Sequence, residues 1–447
     1  MMIELLNENT TIEHRRDKWL VIVCAIIGAL VCMGTNNALF TIAAFLVCSF
    51  VCIQFPLDFS FCMLLFTLPM ATIFKLSPGQ TSLFTFVQVI WVICAFWKSD
   101  MKATKTDISV VLFSFYLIAC QIFNGGLTIS ATIKLTFGLF MILTIRKRKL
   151  YSSYVSMFLC YIAGVLTSSL LMYVNLSLFR ITEYVSSKTE RLVGAEVGDN
   201  ITRFAGLYGD PNYYSVNIIV AMILILCLYR KRKINSIHSI ILIVPFVFFA
   251  AKTGSKSALL MLIIPALLFV YISLKNRRYI IAGISIILVT FAVWMLLNGK
   301  IAAFSVAIQR LTANHASIND LTTGRGSKWA EFLNYIWDRP QILLFGKSLL
   351  NVVLNGGAPH NTYIDMLFQL GIFGTVWIAG ILSTVWIDKD KKRSLLNYSL
   401  VGAVAILYFF LSELQYVDFS FHLALCLIVS YLDFNSNQEM EVKVDEF

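Results

Sequence analysis

Polar breaks cut this chain into about 14 apolar runs, most of them close to the length of a bilayer crossing. They fall at 19–34, 38–55, 58–74, 81–97, 108–123, 127–145, 151–179, 213–229, 237–251, 255–274, 279–297, 361–387, 395–411 and 416–432. A helix needs about 20 apolar residues to cross the hydrocarbon core. Only helices or closed barrels satisfy the backbone there. The pattern predicts an all-α, polytopic membrane protein of about 12–14 transmembrane helices. Composition agrees: 58% of residues are hydrophobic and 14% charged, with mean hydropathy +0.77. Soluble domains carry about 25% charged residues, and disorder needs low hydrophobicity, so both classes are excluded. The first run follows Arg15, Arg16 and Lys18 and has no small-residue cleavage site, so it reads as a retained anchor.

The 36 Lys and Arg exceed the 25 Asp and Glu by 11. In a soluble protein that surplus would suggest nucleic acid; here the cations sit in clusters between runs, so no nucleic-acid partner is expected. The clusters are His14-Arg15-Arg16, Lys98/Lys102/Lys105, Arg146–Lys149, Arg230–Lys233, Lys275/Arg277/Arg278 and Lys389/Lys391/Lys392/Arg393. Each follows an even number of runs, so all share one side, and the positive-inside rule makes that side and both termini cytoplasmic. Trp19, Trp97 and Trp386 flank these clusters as interfacial anchors. The chain divides into N-terminal spans (1–179), an outer loop (180–212), central spans (213–298), a large outer loop with amphipathic helices (299–360), C-terminal spans (361–433) and a tail (434–447). The ten cysteines lie inside apolar runs without metal-like spacing, so neither a zinc site nor a disulfide framework is expected.

Both long loops exceed the usual connection of about 12–15 residues at least twofold, which marks them as functional candidates. The second holds Lys300, Arg310, Arg325, Lys328, Arg339 and Lys347 against Asp320, Glu331 and Asp338. On charge alone it is either a solvated basic loop or an anion site. Three spans begin with helix-start signals facing this side: Asp210-Pro211-Asn212, Thr253-Gly254-Ser255-Lys256 and Pro359-His360-Asn361-Thr362. Asp210 and Ser255 read as caps and Pro211 as the first helical residue. Each helix start carries the equivalent of about half a positive charge, and Arg203, Lys252 and Lys256 lie beside two of them. A phosphate or diphosphate site is expected. Trp329, Phe332, Leu333, Ile336 and Trp337 recur at helical spacing and predict an amphipathic helix ended by Pro340. Arg325 and Lys328 at its start add to the same anion site.

Arg203-Phe204-Ala205-Gly206, Asp210-Pro211-Asn212, Ser255-Lys256, Gly324-Arg325 with Trp329, and His360-Asn361-Thr362-Tyr363 with Gly371 and Gly374 together resemble the O-antigen ligase and O-antigen polymerase superfamily. The resemblance covers roughly residues 203–380; the first half matches only in hydropathy. One departure is Lys256, where the family commonly has arginine; lysine keeps the charge and loses the bidentate fork. The resemblance implies a C-type glycosyltransferase-like fold in the bacterial cytoplasmic membrane. It also implies metal-independent joining of undecaprenyl-diphosphate-linked repeat units into O-antigen or capsular polysaccharide, with no cofactor. A chain-length regulator and a flippase would be protein partners, with membrane lipids around the spans. The alternatives are a ligase moving finished polymer to lipid A–core and, in another class, a lipid-linked oligosaccharide flippase.

In this scheme Arg203, Lys256 and Arg325 hold the diphosphate, with Lys252 and Lys328 nearby. His360 is the base for the acceptor hydroxyl, and Asp210 and Asn212 shape the entrance. Neighbouring cations should keep the imidazole neutral. Asp365, five residues on, is expected to pair with Asn361 rather than orient His360. Lys134 is a charge inside a span, functional by default, and Glu413 is a reserve base. Asp388-Lys389-Asp390 resembles a metal-binding acidic pair but falls in a cytoplasmic cluster, and is set aside. His238, His315 and His422 read as structural.

Overall fold

A computed structural model describes residues 2–98, 103–174, 179–185, 204–297, 325–349, 353–355, 357–386, 395–408 and 417–432. The expectations placed on Arg203, Lys300, Arg310, His315, Asp320, Gly324, Asp388-Lys389-Asp390 and Glu413 lie outside these residues. All regular structure among the described residues is helical, apart from one isolated bridge between Leu354 and Gly357. The helices are α1 (Met2–Gly34), α2 (Ala38–Gln54), α3 (Leu57–Thr67), α4 (Leu83–Trp97), α5 (Lys105–Phe123), α6 (Ile129–Lys147), α7 (Tyr154–Val174) and α8 (Ile181–Val185). They continue with α9 (Pro211–Arg230), α10 (Ser236–Lys252), α11 (Lys256–Met261), α12 (Ile263–Lys275) and α13 (Tyr279–Leu297). The rest are α14 (Arg325–Trp337), α15 (Pro340–Phe345), α16 (Thr362–Trp386), α17 (Leu395–Tyr408) and α18 (Val417–Tyr431). Among the described residues, 7 helical segments are long and apolar enough to cross a membrane, α11 and α12 counting as one (Lys256–Lys275). Shorter apolar helices fill the other predicted positions except 279–297, where α13 forms. The molecule is an all-helical polytopic membrane protein.

Cross-bundle contacts sort the helix ends into two sets. At one end Arg16 of α1 pairs with Asp58 of α3 at 3.0 Å, and Lys98 after α4 donates to the Phe55 carbonyl after α2 at 2.5 Å. Lys147 of α6 pairs with Asp107 of α5, Arg230 of α9 donates to Asn276 after α12 at 2.6 Å, and Arg278 before α13 donates to Ser236 of α10. At the opposite end Asn36 accepts from the Arg180 backbone at 3.0 Å, and the Lys252 carbonyl accepts from Phe204 at 2.9 Å. Successive long helices therefore alternate direction, and the described basic clusters gather at one end.

The central element is α9, whose side chains from Tyr214 to Tyr229 are all buried. A polar knot fixes it. Tyr161 of α7 donates to Asn217 Oδ1 at 2.7 Å, and His422 of α18 reaches Tyr161 through Nε2 at 3.0 Å and Tyr408 of α17 through Nδ1 at 2.8 Å. A neutral imidazole protonated on Nε2 satisfies every member: Nε2–H donates, and Nδ1 accepts from Tyr408. His422 thus ties four helices together, as a buried polar group must when lipid offers it no partner.

The span expected at 361–387 is not one uninterrupted helix. Gly371 inside α16 has φ 64 and ψ −176, which breaks the backbone ladder. The freed carbonyls are taken up locally. Lys347 N–H donates to Phe368 O at 2.7 Å, Ser348 N–H to Gln369 O at 2.9 Å, and Tyr116 of α5 to Leu370 O at 2.6 Å. Backbone breaks at membrane depth survive only where protein replaces the lost bonds.

Candidate functional site

Three helix starts build the site at the end opposite the basic clusters. Asp210 caps α9, its carboxylate accepting from Asn212 N–H at 2.6 Å, and Pro211 follows at the first helical position. Ser255 caps α11 by accepting from Ala258 N–H at 3.3 Å, and its hydroxyl donates to Asn212 Oδ1 at 2.9 Å. The starts of α9 and α11 are thus stapled side by side. The Ser255 hydroxyl has one proton, spent on Asn212, so Ser257 donates in the 2.9 Å contact between the two serines. Asn361 caps α16, accepting from Tyr363 and Ile364 N–H at 3.0 and 3.2 Å.

His360 precedes that cap in a left-handed conformation, φ 49. Such a φ is uncommon outside glycine and costs energy that surrounding contacts must hold in place. Here α14 does so. Trp329 Nε1 donates to Pro359 O at 2.8 Å, while Glu331 accepts from Lys328 at 2.9 Å and from Asn355 at 2.6 Å. The loop carrying His360 is therefore clipped to α14 at two points, Asn355 and Pro359. His360 is exposed, yet desolvation by the surrounding chain, then the Arg325 guanidinium, hold its pKa below the ordinary value of 6.5, and Asp210 opposes them. Arg325 at the start of α14 and Asp210 at the start of α9 are both within charge–charge range of this imidazole. The lowered pKa favours the neutral ring, the form able to accept a proton.

The other predicted residues sort as follows. Lys256 occupies the first turn of α11 beside Ser255, part-buried. Lys252 is exposed, with its ammonium 5.8 Å from the Phe248 ring centroid. Lys328 is paired with Glu331, so part of its charge is already compensated. The expected Asp365–Asn361 side-chain pair does not form. Asn361 spends its oxygen on the helix cap, and the buried Asp365 carboxylate accepts from Gln369 at 2.5 Å, one turn on. Glu331 and Trp329 are the supporting residues that sequence reading undervalued; their signal was the Lys328–Glu331 spacing on one helix face.

The amphipathic helix is observed with a shifted face. Phe332 and Ile336 are buried, whereas Leu333 and Trp337 are 44% and 77% exposed. Phe332 packs edge-on against Phe368 of α16 at 4.9 Å. Pro340 both ends α14 and opens α15. A separate apolar groove of about 620 Å³ lies between α1, α3 and α7, lined by Cys24, Gly28, Phe66, Leu159 and Ala163, away from these polar groups. No known protein family, curated protein or solved structure matches this chain.

Proposed function

We propose that the chain is a glycosyltransferase of the outer membrane face that joins polyprenyl-diphosphate-linked oligosaccharide repeat units into a polysaccharide such as O-antigen or capsule. The observation that carries this reading is the meeting of His360, Arg325 and Asp210 beside the stapled starts of α9 and α11. A base, fixed cations and helix N-termini face one region at the end away from the basic clusters. The positive-inside rule makes that end extracytoplasmic in a bacterial cytoplasmic membrane, with both termini inside.

The reaction balances without further reagents. The sugar C1–O bond breaks, and its electron pair leaves with the lipid diphosphate. Arg325, Lys256 and the helix starts stabilise the charge that grows on the departing oxygen. The acceptor hydroxyl forms the new bond to C1 and gives its proton to His360. Asn212 and Ser255 hold two helix starts in register, so the positive ends arrive preorganised.

The test uses the full chain reconstituted in vesicles with purified lipid-linked repeat units, read by polymer length on gels. His360→Ala and Arg325→Ala should each abolish polymer while the protein still inserts. Wild-type chain lengths from either variant would refute the assignment. In a deletion strain, surface acceptors bearing a single repeat unit support polymerisation; acceptors bearing none indicate ligation.

A further inference from the structure

A second cluster of charges lies at the same end of the bundle, on the far side of the loop that leads into α9. Lys134 sits in α6, five residues past its start, and Lys75 lies in the connection after α3. Both side chains are part-buried. Lys134 is within charge–charge range of Lys75 and of Asp418, the second residue of α18. Neither ammonium makes a hydrogen bond or ion pair among the described residues. Asp418 Oδ1 is buried with no hydrogen-bond partner among them either.

Elementary electrostatics makes this arrangement unfavourable by itself. Burial holds the Lys75 ammonium below its ordinary pKa. Placing two like charges together adds repulsion, and a single carboxylate cannot compensate two ammoniums where charges are costly. Structural charge pairs resolve such costs by direct contact, and this cluster does not. What it lacks is a group that accepts from two ammoniums and donates to one carboxylate oxygen. A phosphate next to a sugar hydroxyl has that chemistry.

The connection to the site is short. Tyr208 lies within electrostatic reach of the Asp418 carboxylate, and its ring packs 6.2 Å from that of Tyr214. Asp210 follows Tyr208 by two residues, a span of at most about 7 Å. The segment 206–210 therefore carries a residue facing each cluster.

We propose that Lys75 and Lys134, with Asp418, form a second subsite for the phosphate-bearing head of a lipid-linked sugar. This rests on the polymerase reading above and deepens it. Polymerisation brings two lipid diphosphates together: the donor's departs, and the acceptor's stays attached and must be held one repeat unit away from the reacting hydroxyl. The His360–Arg325–Lys256 group serves the first and the Lys75–Lys134 group the second.

The test is calorimetric titration of the full chain in nanodiscs with farnesyl diphosphate as probe. The wild type should bind two equivalents. Lys75→Gln/Lys134→Gln should weaken one of them at least about tenfold and leave the other, and Lys75→Arg/Lys134→Arg should restore it, which separates lost charge from lost fold. Lys256→Gln/Arg325→Gln should remove the complementary equivalent. Two unchanged equivalents in the Lys75/Lys134 glutamine variant overturn the second subsite. A single wild-type equivalent that depends on Lys256 and Arg325 also overturns it, and leaves the reading of the first site standing. Binding indifferent to Lys256 and Arg325 overturns that reading itself. Nanodiscs of phosphatidylcholine and of phosphatidylglycerol distinguish the source of the phosphate. Loss of the second equivalent in phosphatidylglycerol alone means that the site takes bulk lipid headgroups, which overturns the acceptor assignment.

Discussion

In the proposed reading His360 carries the most chemistry for a single residue, and its environment makes a signed prediction. Arg325 lowers its pKa and Asp210 raises it. If the neutral imidazole is the base, activity falls on acidification with a midpoint below the ordinary histidine value. Arg325→Gln should move that acid limb to higher pH, and Asp210→Asn should move it lower. The pH profile of residual transfer, or the ring-proton titration by NMR, reads both shifts, and equal movement in one direction would refute the electrostatic account. The same sign governs stability. A depressed pKa contributes stability above the unfolded value, lost as pH falls through the lowered folded one. His422 makes a different prediction. Its replacement by alanine removes partners from Tyr161 and Tyr408 in the bundle interior. A lost buried hydrogen bond costs about 0.5–1.5 kcal/mol, so His422→Ala should lower the thermal midpoint in detergent, while a transfer defect beyond that loss would contradict a structural role. Histidine 360 was legible from its position before a helix start. The partners of His422 were not, because they come from positions 161, 217 and 408, and sequence spacing carries no information on contacts between distant spans.

At the scale of elements, the helices were legible and their interruption was not. Apolar runs report helix length because lipid enforces it. Glycine is common in transmembrane helices, so Gly371, although part of the resemblance, carries no sign in the sequence of a backbone break. What makes it a break is the approach of the connection after α15. A Cβ on Gly371 would lie 2.4 Å from Leu344 O and 2.5 Å from Gly346 N, and one on Gly346 would lie 2.3 Å from Gln369 O. Both residues also have positive φ. Two mutually dependent glycines therefore let the outer helices lock into the gap in α16, the helix that His360 precedes. Gly371→Ala should detach that lock, expose residues 340–348 to proteolysis, and reduce transfer more than binding of farnesyl diphosphate. Gly380→Ala, in the same helix with open space around its Cα, is the control and should behave as wild type. Proteolytic protection equal to wild type in Gly371→Ala would show that the break does not hold the outer helices.

For the whole molecule, charge and connectivity converge on one measurable quantity: which end faces the cytoplasm. Contacts at both ends fix the parity of successive spans, from Arg16–Asp58 and Lys147–Asp107 at one end to Arg180–Asn36 at the other. One correct assignment therefore orients every described helix, and one wrong assignment inverts them all. The net charge of +11 alone does not decide it; the distribution does, since lysine and arginine near span ends are retained inside. The natural cysteines all lie in apolar helices, and all but Cys160 are buried, so an impermeant maleimide should leave them nearly unlabelled in intact cells. Ser327→Cys and Asn334→Cys, exposed on α14, should react from outside without permeabilisation. Arg148→Cys and Lys233→Cys, exposed at the basic end, should react only after the membrane is opened. The reverse pattern would place His360 and Arg325 in the cytosol, where lipid-linked repeat units have not yet been flipped, and the glycosyltransferase reading would fall with it. Labelling of all four from outside would contradict the alternation itself, and with it the bundle that brings α9, α11 and α16 together.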